Sequence, residues 1–198
     1  MILSTDQLLF QYRHLKDPHH KIQALVKSGK LIPIKRELYE TDPNVPGFVL
    51  ANTILGPSYL SFEWALAYHG LIPERVEVYT SATFGIKKRK EFQNLFGIFT
   101  YQDIPKGVFP YHYNLVESDN RVALIASKEK ALCDQLCKLS PIRGLRDFSN
   151  YLFEGLRLDE EAFAGLDRAK IRRMAPLYHK TNLKQLLRLL DSEEGKNE

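Results

Sequence analysis

The sequence predicts an α+β fold in two parts: a small helix–helix–hairpin module, then a mixed α/β unit that ends in a helical bundle. Three observations carry this expectation. The first 40 residues hold two helix-start signals ahead of a short hairpin pattern. Between 76 and 127 several stretches are rich in aromatic and β-branched residues, as strands are. From Lys128 onward apolar residues recur at helical spacing. Strands grouped first and helices grouped last mark α+β rather than an alternating parallel sheet.

The N-terminal elements follow from local chemistry. Ser4 and Gln7 form an S-x-x-Q capping pair ahead of Leu8 and Leu9, predicting a helix from Thr5 to about His14. Asp17 can cap a second helix, and Pro18 suits its first position because the missing N–H costs nothing there. Ile22, Leu25 and Val26 give that helix an apolar stripe, and Gly29 sits where a left-handed C-terminal cap is wanted. LIPI and LYE, flanking Lys35-Arg36-Glu37, read as a hairpin. Helix, helix, hairpin is the order of a winged helix-turn-helix spanning 1–41. On that reading His19, His20, Lys21, Gln23 and Lys27 face DNA from the second helix, and Lys35 and Arg36 reach phosphate from the wing tip. The alternative is two helices packed on a larger domain with a polar outer face.

Residues 41–56 read as a connector, because Asp42-Pro43-Asn44-Val45-Pro46-Gly47 is rich in turn formers. Ser58 to His69 reads as a helix closed by Gly70 and Pro73. VEVYTS, FGIFTYQDI, YHYNLVE and VALIAS read as strands, with a weak helical signal at 87–95 between the first two. Helices are expected at 128–139, 143–153, 159–165, 168–175 and 182–190, and a disordered tail at 192–198.

Composition narrows the function. Of 198 residues, 44% are hydrophobic and 26% charged, an ordinary balance for a globular chain. No apolar run reaches the roughly 18 residues of a spanning helix, and the first residues lack a basic, cleavable signal pattern. No membrane partner is expected. Two cysteines, Cys133 and Cys137, cannot build a disulfide framework, so a reducing, cytoplasmic location is expected.

Catalytic patterns are sparse. Of the six histidines, His69 stands at a helix end and reads as a cap, and His112 lies among aromatics and reads as structural. No H-E-x-x-H, C-x-x-C, EF-hand, P-loop, G-x-G-x-x-G or G-x-S-x-G pattern occurs. No enzyme, metal or cofactor is expected, and the cysteines read as buried thiols.

The net charge of +4 is uneven. Lys87-Lys88-Arg89-Lys90 is a basic run beside Phe84, Phe92 and Phe96, readable as a phosphate-tracking loop or as a solvated one. Arg168 to Leu190 holds seven Lys/Arg and no acid. There Leu183, Leu186, Leu187 and Leu190 form an apolar stripe. Lys184 and Arg188 lie off it, and Arg168, Lys170, Arg172 and Arg173 make a second patch. These cations are candidates for an acidic protein surface or RNA.

Two blocks carry a resemblance. Gly56-Pro57-Ser58-Tyr59, Ser61 and Tyr68-His69-Gly70-Leu71-Ile72-Pro73 form the first. Ser127 with Glu129-Lys130-Ala131-Leu132-Cys133-Asp134 forms the second. In this order they resemble the AbiEi-type antitoxins of type IV toxin–antitoxin (abortive infection) systems. The resemblance implies a winged helix-turn-helix that represses its own operon, binding operator DNA, with a homodimer on DNA as one arrangement. It implies a second domain, 50–191, that counters a nucleotidyltransferase-fold toxin directly or indirectly. It also makes Gly56-Pro57-Ser58-Tyr59 and Tyr68-His69-Gly70-Leu71 fold-determining elements rather than parts of an active site. The chain departs from the family pattern in lacking a helix ahead of Ser4. Two rivals therefore stand: a protein-interaction antitoxin whose module no longer binds DNA, and an RNA-binding accessory factor.

Overall fold

The computed structural model describes residues 1–118 and 120–194, and the fold among them is mixed α+β with two sheets. The N-terminal part runs β1 (Ile2–Ser4), α1 (Thr5–Gln11), α2 (Pro18–Lys27), β2 (Ile32–Lys35) and β3 (Leu38–Glu40). The capping box at Ser4 is reciprocal: Gln7 N donates to Ser4 Oγ at 3.2 Å, and Ser4 N donates to Gln7 Oε1 at 2.8 Å. His20 N donates to Asp17 Oδ1 at 2.9 Å, with Pro18 in the first turn. Gly29 ends α2 with φ +71°, a conformation that favours glycine.

Two details differ from expectation. Helix α1 stops at Gln11 rather than His14. Strand β1 was not foreseen; it pairs antiparallel with β3, so the small sheet has the order β1-β3-β2. Three residues are too few to show a period-two pattern.

The stretch expected as a connector is partly built into the core. It holds a 3-10 turn at Gly47–Leu50 and α3 (Ala51–Ile54), with Val49, Leu50, Ala51 and Ile54 buried. A Cβ on Gly47 would collide with the Phe96 carbonyl oxygen, so backbone approaches backbone there. Next come β4 (Tyr59–Leu60), α4 (Phe62–Tyr68), β5 (Val78–Thr83), β6 (Lys90–Asn94), β7 (Gly97–Asp103), β8 (Tyr113–Ser118) and β9 (Arg121–Ala126). They form a six-stranded sheet in the order β6-β7-β5-β4-β9-β8, parallel at β7/β5 and β4/β9 and antiparallel elsewhere. The helical signal at 87–95 gives way to β6, because its pairing with β7, Phe92 opposite Phe99, overrides a polar local sequence.

The chain ends in helices: α5 (Lys128–Lys138), α6 (Leu145–Asn150) continuing as a π-helical turn, α7 (Glu160–Ala164), α8 (Arg168–Met174) and α9 (Thr181–Glu194). Residues 192–194 belong to α9 rather than to the tail expected there, and 195–198 lie outside the described residues. The stripe Leu183, Leu186 and Leu190 is buried, joined by Leu189, while Leu187 is half-buried. No helix among the described residues is long and apolar enough to cross a membrane.

A large apolar cluster fills the space between the six-stranded sheet and these helices, and a small one, Leu8, Ile22 and Leu31, holds α1 to α2. The units at 1–41 and 50–191 share packing, because Ile32 and Ile34 of β2 enter the large cluster. Three polar ties reinforce the seam. Lys35 Nζ donates to Ile54 O at 2.6 Å. Asn94 Nδ2 donates to Ile34 O at 2.8 Å. Arg121 Nη1 lies 2.8 Å from the buried Glu40 carboxylate.

Candidate nucleic-acid interface

The exposed face of α2 follows from its inward stripe. Ile22 is buried and Leu25 and Val26 are half-buried, which turns His19, His20, Lys21, Gln23 and Lys27 to solvent. The β2–β3 hairpin stands beside this face, and a cleft of about 670 Å³ lies between them. His19, Gln23 and Lys27, at i, i+4 and i+8, line it from the helix side. Arg36 and Pro33 line it from the hairpin. His20 and Lys21 are exposed beyond the cleft lining.

The hairpin tip corrects one expectation. Arg36 is at the tip, with 92% of its side chain exposed and only a loose contact of 3.5 Å to Glu37. Such a surface pair adds little. Lys35 also borders the cleft, but it is half-buried and its ammonium is spent on Ile54 O, so it does not stand free at the wing tip. A lysine that ends β2 points into the seam because β2 is the strand facing the second unit.

The other basic candidates divide. Lys87, Lys88, Arg89 and Lys90 are all exposed. The approach to β6 is pinned by Asp103, whose carboxylate accepts from Ile86 N at 3.1 Å and Lys87 N at 2.9 Å. Arg89 pairs with Glu91 at 3.4 Å. In the C-terminal tract, several cations serve the fold. Arg168 donates to Leu190 O at 3.2 Å, Arg172 pairs with Asp191, and Lys170 lies 3.5 Å from Asp167. Arg168 and Arg172 thus tie α8 to the end of α9, which takes them out of an open cationic patch. Arg173, Lys184 and Arg188 remain exposed.

The sequence reading did not single out the polar centre of the second unit. Lys130 and Asp134, one turn apart on α5, are fully buried and 3.0 Å apart. The Asp134 carboxylate accepts from Tyr59 OH at 2.9 Å, Ser61 Oγ at 2.7 Å and Tyr178 OH at 2.5 Å. Lys130 also donates to Tyr178 OH at 2.7 Å. Both Asp134 oxygens accept two hydrogen bonds each, and the Lys130 ammonium donates two and lies 4.8 Å from the centre of the Tyr178 ring, so the buried charges are well partnered, as burial requires. Burial first, then the Asp134 charge, push both phenols far above their usual range, so they stay protonated donors. Burial likewise pushes Cys137 up to about 11 and Cys133 higher still, so both thiols stay protonated. The network joins α5 to β4 and to the turn before α9, and none of its side chains reaches solvent appreciably. The i, i+4 spacing of Lys130 and Asp134 was the available signal, but spacing does not reveal that both are buried.

The histidines fall near their expected roles. His69 caps α4, its N–H donating to Ala65 O at 3.0 Å, and its Nε2 lies 2.7 Å from Ala126 O. His112 is half-buried beside Tyr111, and burial, then Lys170, lowers its pKa. No cluster of His, Cys, Asp or Glu among the described residues is arranged to hold a metal. In comparisons with known proteins, no family model and no curated protein matches the chain.

Proposed function

We propose that the chain is a DNA-binding regulator of the AbiEi antitoxin type, with the α2 face and the hairpin as its DNA surface. One observation carries this reading: two capped helices sit between β1 and β2 of a β1-β3-β2 sheet, with a cation-bearing cleft between α2 and the hairpin. That arrangement is consistent with a winged helix-turn-helix, in which the second helix enters a major groove and the hairpin meets phosphate. Gln23 and Lys27 suit base edges, and His19 and Arg36 suit the backbone. The antitoxin part rests on the sequence resemblance. It is supported by the meeting of its two motif blocks, Tyr59 and Ser61 with Lys130 and Asp134, in one buried network. On this proposal the helices α5 to α9 form the bundle that ends the antitoxin domain.

The test is a binding titration of the full chain on its own upstream DNA and on scrambled DNA, at several salt concentrations. Preference for the upstream sequence supports the reading. Equal affinity for both with a steep salt slope reduces it to electrostatics. No binding at low salt sinks the DNA role and leaves the protein-interaction antitoxin.

A further inference from the structure

A recess of about 200 Å³ opens between the segment before β8 and helix α8, and no residue of 1–41 lines it. Its walls are Val108, which ends a 3-10 turn at Lys106–Val108, then Tyr111 and His112, Arg173 and Met174 of α8, and Leu177 from the 3-10 turn Ala175–Tyr178. Val108 and Met174 are buried, whereas Tyr111 and Leu177 are exposed. The lining is mostly apolar, with two polar side chains that have no partner of their own. The exposed Arg173 guanidinium makes no ion pair or hydrogen bond among the described residues, and the half-buried His112 ring makes no hydrogen bond among them either. His112 is held in place by its backbone: φ is +60°, rare outside glycine, and its carbonyl accepts from Ser127 N at 2.8 Å. The neighbouring acids are engaged elsewhere. Asp167 caps α8 and lies 3.5 Å from Lys170. Glu129 accepts from Ser127 Oγ at 2.8 Å and Asp167 N at 3.1 Å. Burial first, then Lys170, Lys130 and Arg173, lower the His112 pKa, with Glu129 opposing them, so the recess carries a positive field.

An apolar recess with a few convergent polar groups is the ordinary form of a small-molecule site. The geometry points to a small carboxylate on a compact apolar body, a single-ring or branched-chain acid, as the ligand of this recess. Arg173 takes the carboxylate, which suits the planar guanidinium fork. The His112 ring N–H donates beside it. Val108, Met174 and Leu177 hold the apolar body, and Tyr111 closes the rim. Size and charge both narrow the class. Sites for drug-sized ligands span roughly 300–1,000 Å³, so this recess suits a smaller molecule. A phosphate brings more strongly hydrated oxygens than one guanidinium and one imidazole can satisfy, and it has no apolar body to fill the walls. A neutral ligand leaves the Arg173 charge without a counter-charge. This inference does not rest on the DNA reading.

The experiment is isothermal titration calorimetry on the full chain with four probes: 3-phenylpropanoate, 4-methylpentanoate, the neutral amide 3-phenylpropanamide, and acetate. At least one of the two larger acids should bind one to one with Kd below about 1 mM, as expected for so small a ligand. The amide should bind roughly tenfold weaker or worse, because it lacks the charge that Arg173 meets. Acetate, a charge without a body, should not bind measurably. The variants are Arg173→Gln, Leu177→Asp and Lys184→Gln. All three positions are exposed, so circular dichroism should show an unchanged fold. Arg173→Gln should weaken the acid roughly tenfold or more. Leu177→Asp sets a like charge at the rim and should abolish binding. Lys184→Gln, an exposed cation outside the lining, should leave affinity unchanged. Absence of binding by both larger acids overturns the inference. So does an amide that binds as tightly as its acid, an Arg173→Gln variant of unchanged affinity, or an equal loss in Lys184→Gln.

Discussion

The small and large units keep their polar groups in opposite ways. In the large unit the charged pair Lys130–Asp134 is fully enclosed and shares its hydrogen bonds with Tyr59, Ser61 and Tyr178. In the small unit only Leu8, Ile22 and Leu31 form a buried cluster of their own, and the cations of α2 face solvent. The large unit is stable through its interior. The small unit is held by capped helices and by its seam with the large one, where Ile32, Ile34, Lys35 and Glu40 are engaged. The exposed residues of such a unit can vary without disturbing a core.

The largest expected effect tests the enclosed pair. Asp134→Ala leaves Lys130 buried without its counter-charge and three hydroxyls without their acceptor. It should cost about 3–5 kcal/mol in chemical denaturation. Lys130→Met should cost less, because Asp134 keeps its three hydroxyl donors. Equal losses for the two variants would show that the contrast between a satisfied and an orphaned charge is misdrawn.

The next effect tests the seam. Glu40 is buried, and burial alone would raise its pKa. Hydrogen bonds from Arg121 and the N-terminal ammonium, and then from the Asp42 and Thr41 amides, prevail and hold it at about 2. A carboxylate depressed on folding adds stability above its unfolded pKa, near the usual 4.5, and loses it as pH falls toward 2. Wild type should therefore lose stability through that acid window. Arg121→Ala should cost about 2–3 kcal/mol at neutral pH and flatten the acid limb. The readout is denaturation midpoint against pH. An unchanged acid limb would remove Glu40 from the seam.

How far these contrasts were legible in the sequence depends on range. The caps at Ser4 and Asp17, the glycine at 29 and the leucine stripe of α9 were readable because each is a local pattern. The strand at Lys90–Asn94 was not, because all of its residues but Phe92 are polar and only pairing with β7 across a two-residue turn makes it a strand. The same limit hid the roles of individual cations. Lys35, Arg168 and Arg172 look like neighbours of Arg36 and Arg173 in sequence, yet they are engaged with Ile54, Leu190 and Asp191. A charge count along the chain cannot separate an arginine that ties two helices from one that faces water.

That separation sets a third and smaller prediction. Lys35→Met should cost about 1 kcal/mol or more of stability, since the Thr53 and Ile54 carbonyls lose a charged donor. Its effect on DNA affinity should be slight. Comparable loss of DNA affinity in Lys35→Met and Arg36→Ala, with both folds intact, would return Lys35 to the binding surface.

The smallest stability effect belongs to the open face. His19→Ala with Lys21→Ala, and separately Arg36→Ala, should each change stability by no more than about 0.5 kcal/mol per residue, because these side chains are exposed. Their effects on DNA should differ in kind. Arg36 stands at the hairpin tip, so its loss should weaken binding to every sequence alike and lower the salt slope by about one. His19 lines the cleft whereas Lys21 lies outside it. The double variant should therefore lose affinity mainly through His19, and restoring His19 alone should recover most of it. The measurement is fluorescence anisotropy on upstream and scrambled DNA across a salt series. If restoring Lys21 recovers more than restoring His19, the DNA contacts lie on the outer side of α2 rather than in the cleft between helix and hairpin.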